Sequence, residues 1–264
     1  MNDNLNLFDV LTVLANKNRI NILKTCQKNQ TLSAIARRIE HTVPATQVHV
    51  QKLLKVGLLE KITDRSYSTT PFGQAMLLCI SSTFFLEENR QFLNEHSFND
   101  LPPRFVSSFG CLYGSKHTTQ ITDVFPIWQK IVDSSKRYLN CIFSEAPILL
   151  EDEIKIRMEN GVKVRFLFGR NSRIYDSSEF VEKLELKKLK HHESLEKRIA
   201  ENVGVNIMIS DRWACIMFPN LDDVIDMHHI FYSKDLAFRQ WCLDFFNYKW
   251  DSSEPIARLT HFNV

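Results

Sequence analysis

Residues 44–55 place amide and basic side chains on one face of a predicted helix. The outward positions are Ala45, Gln47, Val48, Gln51, Lys52 and Lys55. A glutamine can bond an adenine edge in two places, an alanine or valine can touch a thymine methyl group, and a lysine can neutralise a phosphate. This row therefore has the chemistry for contacts in the major groove of DNA. The alternative interpretation is a solvated helix face.

Neighbouring side chains extend this candidate DNA-binding surface. Ser33, Arg37 and Arg38 point away from the apolar side of the preceding predicted helix, and Thr42 lies in the turn before Pro44. Arg65 lies at the tip of a predicted hairpin, where it can reach backbone phosphates or the minor groove. Between residues 15 and 65 there are ten basic and three acidic residues. Such a local positive excess attracts a phosphate backbone.

Motifs for other kinds of chemistry are missing from the sequence. Phosphodiester hydrolysis by a His-x-Lys motif needs the histidine to attack phosphorus and the lysine to hold oxygens. None of the nine histidines is followed two residues later by lysine. The isolated glycines form neither a GxGxxG nor a GxxxxGK loop, so a nucleotide-binding loop is not predicted. We therefore expect no catalytic residues and no cofactor.

Histidine and cysteine spacing does not favour a metal site. Six cysteines are scattered singly and form no CxxC pair, which predicts buried small apolar side chains in a reducing compartment. The adjacent His228 and His229 face opposite sides of a predicted strand and cannot share one ion. His191 and His192 lie in a charged run, where the pair His192–Glu196 is more simply part of a solvated helix face. We expect no bound metal.

Composition and length predict a soluble protein of two domains. The chain has 264 residues, with 44% hydrophobic and 24% charged residues and a net charge of +2. It has no uncharged apolar run of the roughly 18 to 20 residues that a membrane span needs, and its polar start, MNDNLNLFD, has no signal-peptide pattern. We expect a cytoplasmic protein with no membrane partner.

Apolar periodicity in the first hundred residues predicts four short helices, two strands and one long helix. Thr31 can cap the third helix, Pro44 suits the first turn of the fourth, and Gly57 can supply a left-handed residue at its end. Residues 58–63 and 66–69 read as strands around the turn Asp64-Arg65. A long apolar helix is predicted from Pro71 to about Leu93. Because it is too apolar to stand alone in water, we expect it to pack on a partner, such as the same helix of a second chain.

The prolines in residues 94–103 mark the predicted domain boundary. We predict a DNA-binding domain over residues 1–73, a long linker or dimerisation helix over 74–98 and a regulatory domain over 99–264. In the last of these, helix and strand patterns alternate before three sequential strands, with a charged stretch over 179–202 that is predicted to be helical. This order predicts an α/β domain whose mixed sheet is covered by helices.

A candidate effector pocket follows from the expected sheet. In open α/β sheets, ligands bind outside the carboxyl ends of the strands. Ser144 and Glu145 follow one predicted strand, and Gly169 and Arg170 follow the next. Arg212, in a tight connection between apolar strands, is a further candidate, and the arginines would suit an anionic ligand. Asp211-Arg212 is alternatively only a hairpin turn with a local ion pair.

The first hundred residues also resemble a known class of regulator. The segments TLSAIARRIE, HVQKLLKVGLLEK and YSTTPFG resemble winged-helix transcription regulators of the ArsR and TrmB kind. The resemblance implies that residues 44–55 form the recognition helix. Metal-sensing members of the ArsR class often carry a Cys-x-Cys in the third helix, where this chain has SAIAR, so a metal sensor is not implied.

The remainder resembles the regulatory domain of archaeal winged-helix factors related to a methanogenesis regulator. The segments that carry the resemblance are LPPRFVSSFGCLYG, ENGVKVRFLFG and SDRWACIMFPNLDDVIDMHHIFYSKD, followed by WCLDFFNYKW. More distantly, this part is similar to the phospholipase-D-like sensor of TrmB proteins. The resemblance implies a dimeric regulator whose second domain holds an effector or a partner surface.

Three functional hypotheses follow. The sequence favours an α+β or α/β protein with an N-terminal winged helix-turn-helix and a C-terminal α/β domain with a mixed sheet, a phospholipase-D-like sensor without the catalytic motif. Its expected function is homodimeric, sequence-specific transcription regulation on double-stranded DNA, modulated by the C-terminal domain when it binds a small-molecule effector or a partner. The alternatives are a phospholipase-D-like phosphodiesterase and a protein-interaction module that carries a winged helix.

Overall fold

The chain divides into two compact units within its long apolar helix. The computed structural model describes residues 6–144, 150–170 and 194–255. The first unit is Met1–Thr83 and the second is Phe84–Val264. Residues 94–103, the expected boundary, lie inside the second unit. The reason is that Phe85, Phe92 and Leu101 are buried in its core, so the last turns of the long helix already belong to it.

Short helices and a three-stranded sheet make up the first unit. Its helices are α1 (Leu7–Leu14), α2 (Lys17–Thr25), α3 (Leu32–Arg38), α4 (Val43–Lys55) and α5 (Pro71–Glu88), of which α5 continues into the second unit. Its strands are β1 (Gln30–Thr31), β2 (Leu59–Thr63) and β3 (Ser66–Thr69). The strand order is β1-β3-β2, and both pairings are antiparallel.

Side-chain hydrogen bonds of Thr31 and Thr42 cap the first turns of α3 and α4. The Oγ1 atom of Thr31 accepts a hydrogen bond from the backbone N–H of Ala34 at 3.3 Å, and Oγ1 of Thr42 accepts one from Ala45 at 3.4 Å. Each bond satisfies a donor that the first helical turn leaves unpaired. Gly57 has φ +73°, so the left-handed residue predicted after α4 is confirmed.

Further helices of the second unit flank a large sheet. They are α6 (Arg90–Glu95), α7 (Pro103–Ser107), the 3-10 helix Phe109–Leu112, α8 (Ile121–Ser134), α9 (Glu151–Glu159) and α10 (Leu236–Asp251). The break between α5 and α6 at Asn89 ends the long helix before Leu93, the predicted end. Among the described residues, no helix is long and apolar enough to cross a membrane.

Eight strands of the described residues form one mixed sheet in the second unit. They are β4 (Lys116–Thr118), β5 (Tyr138–Phe143), β6 (Lys163–Gly169), β7 (Leu195–Ala200), β8 (Asn206–Ser210), β9 (Ala214–Met217), β10 (Ile230–Ser233) and β11 (Glu254–Pro255). Their order is β11-β7-β6-β5-β8-β9-β10-β4. Strands β5, β6 and β7 are parallel to one another, and the remaining pairings are antiparallel. A mixed α+β architecture with a large mixed sheet is therefore present.

Helices cover both faces of this sheet. On one face, α8 and α9 contribute Ile127, Ile131 and Ile154 to an apolar cluster with Phe143 and Phe166. On the other face, α7 and α10 bury a second cluster, which contains Phe105, Phe238, Trp241, Phe245 and Phe246. Alternate residues of β5 serve the two clusters, as the two-residue period of a strand requires.

The helix prediction for the charged stretch before β8 is wrong where the structure describes it. The charged stretch 179–202 was expected to be helical, but residues 195–200 form β7, which pairs in parallel with β6. Charged side chains at the start of β7 are tolerated because they remain at least partly accessible, whereas Ile199 and Ala200 are buried. Residues 171–193 lie outside the described residues, and so do His191 and His192.

Candidate nucleic-acid interface and ligand cavity

Helix α4 separates a buried side from a polar outer face. Thr46, Val50 and Leu53 are buried beneath it, and the Thr46 hydroxyl donates a hydrogen bond to the Thr42 carbonyl at 2.9 Å. Leu54, on the same side, is half-buried. This buried side fixes the rotation of α4 about its axis. The polar residues on its other side are therefore held in one direction.

The outer face of α4 consists of Ala45, Gln47, Val48, Gln51, Lys52 and Lys55. Val48, Gln51, Lys52 and Lys55 are exposed, whereas Ala45 and Gln47 are half-buried. Ser33, Arg37, Arg38 and Thr42 are also exposed, on α3 and in the turn that follows it. The structure thus places the predicted DNA-contacting residues of α3 and α4 on accessible surface of the first unit.

The hairpin of β2 and β3 projects from the same unit. Arg65 is exposed in its two-residue turn, and the side chains of Lys61 and Asp64 form an ion pair of 3.0 Å beside it. The hydroxyl groups of Thr63 and Ser66 lie 2.7 Å apart and join the two strands next to the turn. At the base, the Thr69 hydroxyl donates to the Leu23 carbonyl at 2.8 Å. These bonds tie the hairpin to α2 and hold Arg65 at the tip.

His49, on α4, is a residue to which the sequence assigned no role. Its partial burial, followed by the charges of Arg19, His41 and Lys52, lowers the pKa of the imidazole below its ordinary value. The ring therefore carries less charge at neutral pH than an ordinary histidine. The positive charge of α4 comes instead from Lys52 and Lys55.

A cavity of about 450 Å³ lies at the carboxyl ends of β5, β6 and β7 in the second unit. Its lining combines polar, apolar and glycine residues, namely Asp100, Ser144, Gly169, Glu201, Asn202, Val203, Gly204, Pro219, Asp223 and Ile225. Nδ2 of Asn202 donates to Oδ2 of Asp100 at 2.7 Å, and the backbone N–H of Gly204 donates to Oδ1 of Asn202 at 3.0 Å. These bonds fix one wall of the cavity.

The expected effector residues are only partly brought together here. Ser144 and Gly169 line the cavity, as their positions after two parallel strands indicate. Nε of Arg170 donates to Oε2 of Glu201 at 2.8 Å, so Arg170 lies at this end but is paired with a carboxylate. Glu145 lies outside the described residues.

Arg212 is at the opposite end of the sheet. It follows β8, which is antiparallel to β5, and the adjacent Asp211 accepts hydrogen bonds from the backbone N–H groups of Lys136 and Arg137 just before β5. The expectation that Arg212 joins Ser144 is therefore corrected by the strand direction. An anionic ligand does not suit the cavity, because three carboxylates line it: Asp100, Glu201 and Asp223.

Three histidines that are distant in sequence meet elsewhere in the second unit. Nε2 of His117 lies 3.0 Å from Nδ1 of His229, and Nε2 of His96 lies 3.2 Å from Oδ2 of Asp226. His229 precedes β10 in a turn and is not on a strand as predicted. Within the described part of the chain, no group of three or more histidine, cysteine or acidic side chains is suited to hold a metal ion.

Comparison with known proteins gives structural similarities at low sequence identity. No protein-family model and no curated protein matches the chain. TrmBL2, described as an archaeal chromatin protein with a novel mode of DNA binding, is 16% identical over 96% of this chain and 95% of its own, with a TM-score of 0.42.

Two smaller proteins are similar to about half of the chain. Nuc from Salmonella typhimurium, a phospholipase D family member, is 10% identical over 50% of this chain and 89% of its own, with a TM-score of 0.37. NucT from Helicobacter pylori is 10% identical over 53% of this chain and 99% of its own, with a TM-score of 0.41.

Proposed function

We propose that the chain is a sequence-specific, DNA-binding transcription regulator. In this proposal α3 and α4 are a helix-turn-helix, α4 is the recognition helix, and the β2–β3 hairpin is the wing. The second unit is a sensor that modulates DNA binding and catalyses no reaction.

The outer face of α4 is the observation that carries the proposal. Val48 is 55% exposed, beside the exposed Gln51 and Lys52. An exposed apolar side chain between hydrogen-bonding and basic ones is what a major groove would use, since thymine methyl groups, base edges and phosphates lie close together there. A solvated helix face needs no such combination.

Basic side chains around α4 support the same proposal. Arg37, Arg38, Lys55 and Arg65 are exposed on α3, α4 and the hairpin tip. Contacts from arginine and lysine to phosphates position a protein on the duplex, while contacts to base edges specify the sequence. In the proposed complex these four residues therefore set the affinity, and Gln47 and Gln51 read the bases.

A second copy of the chain is the proposed partner of α5. Phe72, Ala75, Cys79 and Leu86 are exposed along this helix at intervals of three, four and seven residues, and Leu78 beside them is 74% exposed. Intervals of three and four bring apolar side chains onto one face, as in paired helices. A homodimer would bury this face and present two recognition helices to a two-fold symmetric site.

The cavity at the ends of β5, β6 and β7 is the proposed effector site. Its carboxylates accept hydrogen bonds, so the fitting ligand is a small molecule that offers hydroxyl or ammonium donors. Polyols and aliphatic amines are the compounds to screen by their effect on thermal unfolding, because a ligand that binds only the folded state raises Tm.

The test begins with recovery of the DNA that the protein occupies in cells. Binding to the recovered duplex is then measured at several salt concentrations for the unaltered protein, Gln51→Ala and Lys52→Ala. Gln51→Ala should weaken binding by about 1–3 kcal/mol and relax the sequence preference. Lys52→Ala should weaken binding to all sequences and lower the slope of log K against log salt by about 0.9.

Lys155→Ala, which removes one positive charge from the second unit, is the matched control. It should leave the preference for the recovered sequence unchanged. If Gln51→Ala and Lys52→Ala both bind the recovered duplex as the control does, α4 is not a recognition helix. The protein-interaction alternative would then replace the regulator.

A further inference from the structure

The strand ends on one side of the large sheet carry a row of exposed basic side chains. At this edge β5 and β6 begin, β8 turns into β9, β10 ends and β4 begins. The exposed basic residues at these strand ends are Lys116, Lys136, Arg137, Lys163, Arg212 and Lys234, and we refer to them as the basic edge.

Strand register places all six residues at one end of the sheet. Tyr138 pairs with Lys163 at the start of two parallel strands, and Leu139 pairs with Ser210, the last residue of β8. Across the next strands, Ala214 pairs with Ser233, and Tyr232 pairs with Lys116. From β6 to β4 there are five strand spacings of about 4.8 Å, so the row is about 24 Å long.

Asp211, in the connection between β8 and β9, is already bonded. The Asp211 carboxylate accepts hydrogen bonds from the backbone N–H groups of Lys136 and Arg137 at 2.8 and 3.1 Å. Its side chain is only 5% exposed, and the Nε atoms of Arg137 and Arg212 lie 3.9 and 3.5 Å from Oδ2. One buried carboxylate thus holds two arginines at the edge without cancelling the positive charge of the row.

Two further aspartates near the row are also bonded. Oδ1 of Asp235 accepts hydrogen bonds from the first turn of α10, and Oδ1 of Asp133 accepts one from Arg157 at 3.1 Å. Beside them Lys130 lies over the ring of Trp213, with its Nζ 3.9 Å from the ring centroid. The edge therefore has a positive excess, although the second half of the chain has nearly equal numbers of basic and acidic residues.

The opposite end of the same strands carries a group of carboxylates. There the cavity is lined by Asp100, Glu201 and Asp223. Arg170 also lies at that end, where its Nε donates to Glu201 at 2.8 Å. A polyanion would therefore approach the basic edge in preference to the cavity end.

We propose that the basic edge binds the sugar-phosphate backbone of duplex DNA independently of base sequence. A linear row of charges fits a linear array of phosphates, whereas a small anion would need basic groups that converge on one point. A row about 24 Å long corresponds to about seven base pairs at 3.4 Å each. Contacts from lysine and arginine to phosphates give affinity without reading the bases.

This surface goes beyond the proposed regulator, because it gives the second unit a DNA contact of its own. Such a contact would raise the affinity for any duplex and leave sequence preference to α4. Salt dependence is its signature, since each phosphate contact contributes about 0.9 to the slope of log K against log salt.

The experiment uses the full chain and a duplex of random sequence. Arg137→Gln/Arg212→Gln is compared with the control Arg104→Gln/Lys155→Gln, which removes two charges away from the basic edge. The first variant should lower the salt slope by about 1.8 and the affinity near physiological salt on the order of tenfold, and the control should change neither. Asp211 keeps its two backbone hydrogen bonds in the first variant, so folding should persist.

A second variant controls for a local structural effect of the first pair of substitutions. Lys163→Gln/Lys234→Gln, on β6 and after β10, should give the same loss as the arginine pair. If both edge variants bind duplex DNA as the control does, the proposal is overturned. It is also overturned if they lose binding only to phosphatidylserine vesicles, an outcome worth testing because the exposed Leu236 lies close to Lys234 in sequence.

The proposals for the basic edge and for α4 can be contradicted independently of each other. Repeating the comparison in Gln51→Ala/Lys52→Ala keeps the test independent of the recognition helix. Loss of slope from the edge variants in this background supports the basic edge even if α4 reads no bases. An unchanged slope there, with normal recognition of the recovered sequence by the unaltered protein, overturns the basic edge alone.

Discussion

Nε2 of His117 and Nδ1 of His229 lie 3.0 Å apart and form a hydrogen bond between two imidazole rings. His117 also stacks on Phe231, with 4.1 Å between ring centroids. Such a bond needs one ring to donate and the other to accept, so at least one ring must accept through an unprotonated nitrogen. Burial, followed by the charges of His229 and His96, lowers the pKa of His117 to about 4.

We predict that acidification destabilises the second unit through this pair. The unfolded chain binds a proton near the ordinary pKa of 6.5, whereas folded His117 binds one only near 4. The contribution is therefore complete above pH 6.5 and is lost as the pH falls towards 4. Because His117 keeps part of its surface exposed, we expect a loss of about 1 kcal/mol.

Urea unfolding near neutral pH and near pH 5 measures this dependence. His117→Gln should flatten the stability curve between these conditions, and His41→Gln, in the first unit, should not. A pH dependence that is the same in all three proteins would show that the pair does not titrate as the structure indicates.

Asp211 gives a second prediction, for the loop between β8 and β9. Burial alone would raise the pKa of this carboxyl, but the backbone N–H groups of Lys136 and Arg137 bond the carboxylate and lower its pKa below 3.8. Its contribution is thus complete above pH 3.8 and is lost as the pH falls through the lower, folded pKa. Asp211→Ala should destabilise the unit by about 1–3 kcal/mol, because two donors lose their acceptor.

Asp211→Asn is the matched variant, since its amide oxygen can still accept both hydrogen bonds. Calorimetric Tm should fall less in Asp211→Asn than in Asp211→Ala. Equal losses would mean that charge, and not hydrogen bonding to the β5 entry, is what matters.

Gly73 gives a third prediction, for the first turn of α5. A Cβ atom added there would collide with the Leu58 carbonyl oxygen and come within 2.8 Å of Cγ2 of Thr69. The close approach is fixed from both sides, because Thr70 caps the helix through the N–H of Gly73 at 3.0 Å. Gly73→Ala should therefore destabilise the first unit by about 2–4 kcal/mol.

Gly57→Ala is the comparison for this variant. An added Cβ at Gly57 meets nothing within 4 Å, so only its positive φ of +73° opposes the substitution, at about 1–2 kcal/mol. Chemical denaturation should rank Gly73→Ala as the less stable protein. The reverse order would mean that backbone strain outweighs the collision.

Leu78 gives a fourth prediction, for the proposed homodimer. Its side chain is 74% exposed, so Leu78→Asp should not harm the fold of a single chain. If α5 pairs with its copy, the buried carboxylate would weaken the dimer on the order of a hundredfold. Sedimentation over a concentration series measures the change.

Leu221→Asp is the control, because Leu221 is 67% exposed but lies in a loop of the second unit. It should sediment as the unaltered protein does. If the unaltered protein sediments as a monomer at all concentrations, the homodimer is contradicted directly.

Local signals predict much of the fold. Thr31, Thr42 and Gly57 mark the helix ends of the first unit, because caps and left-handed residues act within a few positions. Strands such as β5 and β8 are mostly apolar, which marks them as strands in the sequence. β7 was missed, because its charged first residues resemble a helix until their pairing with β6 is known.

The candidate sites also differ in whether their residues are local or distant in the sequence. The outer face of α4 lies within one helix, so its spacing is visible in the sequence. The bond between His117 and His229 joins residues 112 positions apart, and the basic edge draws on strand ends between Lys116 and Lys234. Arg212 was assigned to the wrong end of the sheet because the sequence does not give the direction of β8.

The outermost strands of the described sheet are short. β4 has three residues and β11 has two, and one of the latter is Pro255, which has no N–H to donate. A long, flat outer strand is a template for pairing with other molecules and so for aggregation. These short ends offer few unpaired backbone groups to a neighbouring molecule. Within the described residues, the outermost strands of the large sheet are therefore poor templates for intermolecular β-structure.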